Sequence, residues 1–298
     1  MDDAIFTELT HRHYRELHVH CYRMLGSVDA AEDHVQEVFL RAWRSRERFD
    51  GRSSARTWLY RIATNACLDT LRRGTPRLQP YPDHLLDDKP GPEGVAVARE
   101  TVSLTFLAAI QLLPPRQRGV LLLRDVLLWS AAEAADLLDM TVRAANSALH
   151  RARTTLRERW PDGRLTWAPA GDPDPVQREL LARYIAAHER ADPQALIDLL
   201  RADIRLTIRP DVGEWTGRPS VATALRGGMN QLGRWRMLAT AANGQPAAGA
   251  YVLAAGDTVF RPFALIVLSS EGGALTAIDT FEDPALLALF ELPASLDP

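Results

Sequence analysis

Cysteine is scarce in this chain. Cys21 and Cys67 are its two cysteines, and they lie far apart in stretches of helical periodicity, forming neither a metal-ligand spacing nor a redox pair. That argues against a disulfide scaffold and for a reducing compartment, the cytoplasm. Long apolar runs are missing as well. The longest candidate, Gly119 to Trp129, is broken by Arg124 and Asp125, well short of the about 18 uninterrupted apolar residues a membrane span requires. The start, Met1-Asp2-Asp3, is acidic and lacks the apolar segment of a secretory signal. Lysine is nearly absent too: of 35 basic residues, only Lys89 is a lysine. Such a uniform bias reflects a GC-rich genome, so an arginine at any one position is not by itself a sign of arginine-specific recognition.

What is present suits a soluble protein of two or three compact domains: 298 residues, 46% hydrophobic and 24% charged. The net charge of −3 hides a segregation. Between Thr141 and Trp160 stand Arg143, Arg151, Arg153, Arg157 and Arg159 against Glu158 alone, whereas from Gly171 onward acids outnumber bases. The first stretch has an electrostatic reason to meet nucleic acid and the second has none.

Helical periodicity runs from Glu8 to Arg73, with breaks at Gly26-Ser27 and around Phe49-Asp50-Gly51. Gly74 to Gly94 carries five prolines with Asp83, Asp87, Asp88 and Glu93, and reads as an acidic linker without a core. Helix resumes from Val95 to Ile110, stops at Pro114-Pro115 and continues to Trp160. A second proline-rich joint spans Pro161 to Pro175. Beyond it the texture changes. Helix signals at Val176–Glu189, Pro193–Leu200 and Ser220–Gly227 mix with strand-like alternation at Ile204–Ile208, Arg236–Ala241, Ala250–Ala254, Pro262–Leu268 and Ala274–Thr280. Gly272-Gly273 marks a hairpin turn.

Ser130 with Glu133 forms a capping box opening a short helix that buries Ala134, Ala135 and Leu138. Met140 turns the chain, and Thr141 caps a second helix whose Val142, Ala145 and Leu149 face the first. Arg143, Asn146, Ser147, His150 and Arg151 then point outward, placed to reach base edges and phosphates, with Arg153, Arg157 and Arg159 as a phosphate-contacting flank. Taken alone, the pattern also fits an arginine-rich solvated helix ending a bundle.

Two longer stretches carry a resemblance. "LPPRQRGVLLLRDVLLWSAAEAADLL" followed by "NSALHRARTTLRE" resembles region 4, the DNA-binding domain of extracytoplasmic-function RNA polymerase sigma factors. "YRMLGSVDAAEDHVQEVFLRAWRSRERFDGRSSARTWLYRIATNACLDTLRR" is similar to their region 2. The two cover about half the chain in the family's order. The resemblance implies two all-α sigma domains, a region 2 helical bundle over residues 1–74 and a region 4 helix-turn-helix over 99–160, with the linker 75–98 between them. A second linker, 161–175, leads to residues 176–298. That last part resembles a SnoaL-like α+β cone in its layout and in "GEWTGRPSVATALRG" and "LTAIDTFEDPALLALF".

The resemblance also implies partners and roles. Asp33, Gln36, Glu37 and Leu40 form the stripe that docks on the β′ clamp helices of core RNA polymerase, and region 4 meets the β flap. Arg52, Ser53, Ser54 and Arg56 fall in the loop that captures a flipped base of the −10 element. Arg61, Asn65 and Arg72, with Asp69, present to the duplex beyond it. Arg143, Asn146, Ser147, His150, Arg151 and Arg153 read the −35 element. Sigma factors of this class often have a basic residue where Asn146 and Ala148 stand, and Asn suits adenine rather than guanine. The acidic linker either repels or mimics RNA phosphates near the catalytic cleft or is a plain tether. Trp58 and Leu59 read as core. His11, His13, His18 and His20 read as surface helix residues rather than metal ligands, and neither a metal nor a cofactor is expected.

In the last domain, His188 stands apart from Asp211, Glu214, Asp257 and Asp279, so no acid–base pair is visible and no enzymatic activity is expected. Its expected role is regulation in cis by contact with the sigma domains, with a small ligand in an apolar pocket as a further option. Two other classes compete with the sigma-factor reading: a DNA-binding regulator that does not melt DNA, and a small-molecule-binding or catalytic module with a helical accessory region. The first lacks a phospho-acceptor domain and the second a catalytic set.

Overall fold

The computed structural model describes residues 3–49, 51, 53–86, 104–159, 173–210, 213–231 and 233–298. Expectations for Arg52, for the helix before Leu104, for Asp87, Asp88 and Glu93, for Asp211 and for most of the second linker lie outside the described residues. The chain divides into two compact units, Met1–Tyr81 with Leu85–Ala170, and Pro82–His84 with Gly171–Pro298.

The first unit is helical. α1 (Asp3–Leu25), α2 (Val28–Ser45) and α3 (Ala55–Arg73) form a three-helix bundle, with breaks where the glycines and serines stand. The Ser27 hydroxyl caps α2 by accepting from the Ala30 N–H at 3.2 Å, and Ser54 caps α3 by accepting from Thr57 at 3.0 Å. α2 buries Val28, Ala31, Val35, Val38 and Ala42, a helical stripe at steps of three and four. α4 (Leu104–Gln111), α5 (Pro115–Leu121) with a π turn over Leu122–Val126, α6 (Ala131–Leu137) and α7 (Val142–Arg159) follow.

The linker begins later than residue 75. Gln79 is bound to the start of α2: its amide donates to Asp29 at 2.7 Å and accepts from the Ser27 hydroxyl at 2.7 Å, while its N–H donates to the Gly26 carbonyl at 2.8 Å. Tyr81 is buried against Tyr22 and shares a 2.8 Å hydrogen bond with His18. Proline removes helical periodicity without preventing burial, and the sequence reading took one for the other.

The histidines are corrected likewise. His13, His18 and His20 are buried. His20 bonds Thr64 at 2.9 Å, and burial pushes its imidazole down to about 3, so it is neutral and structural. Among the described residues, no three metal-ligating side chains are grouped to hold an ion.

The second unit is an α+β domain. α8 (Pro175–Glu189), α9 (Pro193–Ile197) and α10 (Arg218–Gln231) accompany β1 (Leu200–Arg209), β2 (Gly213–Thr216), β3 (Arg234–Ala242), β4 (Gln245–Leu253), β5 (Arg261–Glu271) and β6 (Ala274–Phe281), and α11 (Leu286–Leu289) follows. The sheet order is β2-β1-β6-β5-β4-β3, antiparallel except where β1 runs parallel to β6. One face packs Ile266, Leu268 and Ile278 with Leu180, Tyr184, Leu196, Val221 and Leu225 of the helices. On the other face Gly249 admits the tail: a Cβ there would lie 2.4 Å from Leu292. β4 starts before the expected Ala250 because Pro246-Ala247-Ala248-Gly249 is buried on both faces yet has no β-branched residue to signal a strand.

Candidate nucleic-acid interface

α6 and α7 make the helix-turn-helix. The Ser130–Glu133 capping box is formed in both directions, at 2.8 and 3.2 Å. Asp139 takes φ +51 at the turn, and the Thr141 hydroxyl accepts from the Ala144 N–H at 3.1 Å. α7 buries Ala145, Ala148, Leu149, Ala152 and Leu156. Two details are corrected: Val142, expected inward, is 45% exposed, and Ala148, treated as a reading position, is buried and cannot touch DNA.

Arg143, Asn146, Ser147, His150 and Arg151 are exposed on one side of α7, and with Val142 they line one open concavity. Exposed hydrogen-bonding side chains on one face of a helix, Arg143 and Arg151 among them, are what a recognition helix presents to base edges and phosphates in a major groove. Arg153 is different. Its guanidinium holds Asp125 with two bonds of 2.6 and 2.9 Å, and the Asp125 side chain is only 10% exposed. This pair pins α7 to the π turn. Arg153→Ala is expected to lower the unfolding stability of the protein by about 1–3 kcal/mol, because Asp125 is left buried without a partner. Denaturant titration would measure this, and the salt slope of DNA binding should barely change.

The region 2 residues are spread over α2, the loop after it and α3. Asp33, Gln36 and Leu40 are exposed on α2 opposite its apolar stripe, with Glu37 partly exposed beside them. Glu37 pairs with Arg41 at 2.7 Å, and the hydrogen bond from that arginine holds its carboxyl below the usual range. In the loop, Gly51 has φ +73 with open space where a side chain would be. Ser53 is exposed, and the Phe49 ring packs at a tilt on the half-buried Trp58 with centroids 5.0 Å apart. Ser54 serves as the α3 cap. Arg56 donates to Glu16 at 2.8 Å and lies over Tyr60, so it ties α3 to α1. Arg61 pairs with Asp136 of α6, Arg72 with Asp69 at 2.5 Å, and Asn65 is partly exposed. The sequence missed these carboxylate partners because Glu16 and Asp136 are 40 and 75 positions away.

Residues 9–77 match the family model of Sigma-70 region 2, and residues 103–156 match that of Sigma-70 region 4. The chain is 40% identical to the ECF RNA polymerase sigma factor SigG of Mycobacterium tuberculosis, over 98% of its own length and 85% of SigG. It belongs to the extracytoplasmic-function sigma factors. SigJ of the same organism is 31% identical over 69% of this chain and 64% of SigJ. The crystal structure of Mycobacterium tuberculosis SigJ shares the fold, with a TM-score of 0.65 over 98% of this chain and all of that one at 22% identity. The protein is therefore a promoter-recognising initiation factor with an appended α+β domain. Among the described residues, no helix is long and apolar enough to cross a membrane.

In the appended domain, His188 packs against Trp235 and Tyr184 on the helix-covered side of the sheet, and burial pushes its imidazole down to about 4. Asp279 is on the other face, opposite Thr207 and Val267. Burial pushes its carboxyl up, against the pull of Arg205 and Arg209. The two groups are separated by the sheet and do not form a proton-transfer pair.

Proposed function

We propose that this sigma factor docks on the β′ clamp helices through Asp33, Gln36, Glu37 and Leu40, and on the β flap through region 4. It reads the −10 element with the Gly51–Ser54 loop and α3, and the −35 element with Arg143, Asn146, Ser147, His150 and Arg151. One observation supports the reading above the others: those five side chains stand exposed on a single side of a capped recognition helix. Ser53 and Asn65 are region 2 side chains available to DNA, while Arg56, Arg61, Arg72 and Arg153 have carboxylate partners to leave first. The protein works in the cytoplasm with polymerase, and its appended domain acts in cis rather than as an enzyme. Pro82–His84 of the inter-region linker supports that regulatory role, since it folds with the appended domain: Pro82 bridges Ala242, and the Gly244 N–H donates to the Asp83 carboxylate at 2.8 Å.

Transcription in vitro with core polymerase tests the assignment. Arg151→Ala should weaken promoter binding by about 1–3 kcal/mol if it reads a base and by less, with a shallower salt slope, if it holds phosphate. Asn146→Arg should shift the preferred −35 base from adenine towards guanine. Unchanged binding and preference in both variants would refute the recognition helix.

A further inference from the structure

Val142 is out of place for a core residue. It lies on the same side of α7 as Ala145 and Leu149, which are 1% and 5% exposed, yet its own exposure is 45%. The buried stripe of α7 ends at Ala145, and Val142 stands beyond it, at the first helical residue after the Thr141 cap. Local propensity gives no reason for it there. Valine is a weaker helix former than the straight-chain residues, and a first turn gains from acids rather than from apolar groups. Of the exposed large apolar side chains among the described residues, Val142 is the one that lines the concavity shared by Arg143, Asn146, Ser147, His150 and Arg151.

The other five side chains lining that concavity are hydrogen-bonding groups. A major groove offers them donors and acceptors on every base pair, and it offers one apolar group, the C5 methyl of thymine. Recognition helices meet base edges with their N-terminal residues, which places Val142 at the bases rather than at the sugar–phosphate backbone. Val142 and Asn146 are four positions apart, so their Cβ atoms are about 5–6 Å apart on one face of the helix. Successive base pairs rise by about 3.4 Å. An Asn146 amide on the N6 and N7 of an adenine therefore brings Val142 within reach of a thymine methyl in that pair or a neighbouring one. Packing the two together removes apolar area of both from water.

We propose that Val142 is a specificity-determining residue, which selects a thymine of the −35 element by packing on its C5 methyl beside the adenine that Asn146 reads. The proposal rests on the sigma-factor reading, with α7 as the recognition helix. It adds a contact that carries sequence information and no charge, so losing it leaves the salt slope of binding unchanged.

The test removes each half of the contact separately. Holoenzyme made with the full-length protein first selects a duplex from DNA randomised over the −35 segment, and that duplex is the probe. Replacing its thymines one at a time by deoxyuridine deletes the methyl and keeps the base pair. At one thymine this should weaken wild-type binding about fourfold, the value of one methyl-sized apolar contact. Val142→Ala should bind the thymine duplex about fourfold more weakly and be indifferent to uridine at that position. The site is exposed and alanine favours the helix, so the variant keeps its fold. The contact is overturned if no uridine weakens the wild type, or if Val142→Ala loses as much on the uridine duplex as on the thymine one. Failure of the underlying reading looks different. A wrong recognition helix would leave Arg151→Ala and Asn146→Arg bound to the selected duplex like wild type, and a wrong sigma assignment would give neither a selected duplex nor a transcript.

Discussion

Replacing both Asp33 and Glu37 with arginine is expected to remove association with core polymerase at concentrations where wild type saturates, a loss of about 100-fold or more. Both lie on the side of α2 opposite Val35 and Val38, so reversal leaves the bundle core untouched. Glu37 gives up only its pair with Arg41 in the adjacent turn. Four units of charge change on the face proposed to meet a basic partner, so attraction would become repulsion, and the loss should shrink as salt rises. Leu40, 51% exposed in the same stripe, would add apolar area to the proposed contact. Leu40→Ala should therefore weaken binding with little salt dependence. Titration of labelled core at two ionic strengths separates the two effects. Normal binding by the double variant, with an unchanged circular dichroism spectrum, would remove the clamp assignment.

Local chemistry was legible in the sequence because it is local. The capping box at Ser130, the cap at Thr141 and the hairpin glycines at 272 and 273 each depend on residues within a few positions, and these formed as read; Ser27, read as a break, and Ser54, read as a base-contacting residue, turn out to cap α2 and α3. The exposed side of α7 was legible for the same reason, since 3.6-residue periodicity places Arg143, Asn146, Ser147, His150 and Arg151 together. The failures concern distant pairs. Arg56, Arg61 and Arg153 looked like free cations, but whether an arginine is free depends on a carboxylate that folding brings near. His18 and His20 looked solvated because a polar residue on an irregular stripe gives no sign of the Tyr81 or Thr64 that will satisfy it. β2, four residues long, was invisible because its backbone pairs with β1 while its side chains stay mostly exposed.

Removing everything after Trp160 is expected to raise promoter-dependent transcription about tenfold at equal protein concentration and limiting core. The linker before α4 has two competing fates. In holoenzyme the family resemblance takes it towards the catalytic cleft. In the free chain, Pro82–His84 is claimed by the β3–β4 turn, through the Ala242 bridge and the Gly244 N–H on Asp83. A segment cannot be in both places, so whatever the turn gains by holding it is withheld from polymerase. The competition is intramolecular, so even a weak hold acts at high effective concentration. A preference of about 1.4 kcal/mol for the held state leaves roughly one molecule in ten free, which sets the expected gain. Saturating core should erase the difference, because mass action on the open form then wins. Asp83→Ala in the full-length chain should reproduce part of the gain by removing the carboxylate that Gly244 bonds. Equal transcription by full-length, truncated and Asp83→Ala proteins across a core titration would show that the appended domain does not restrain initiation, and regulation in cis would have to be abandoned.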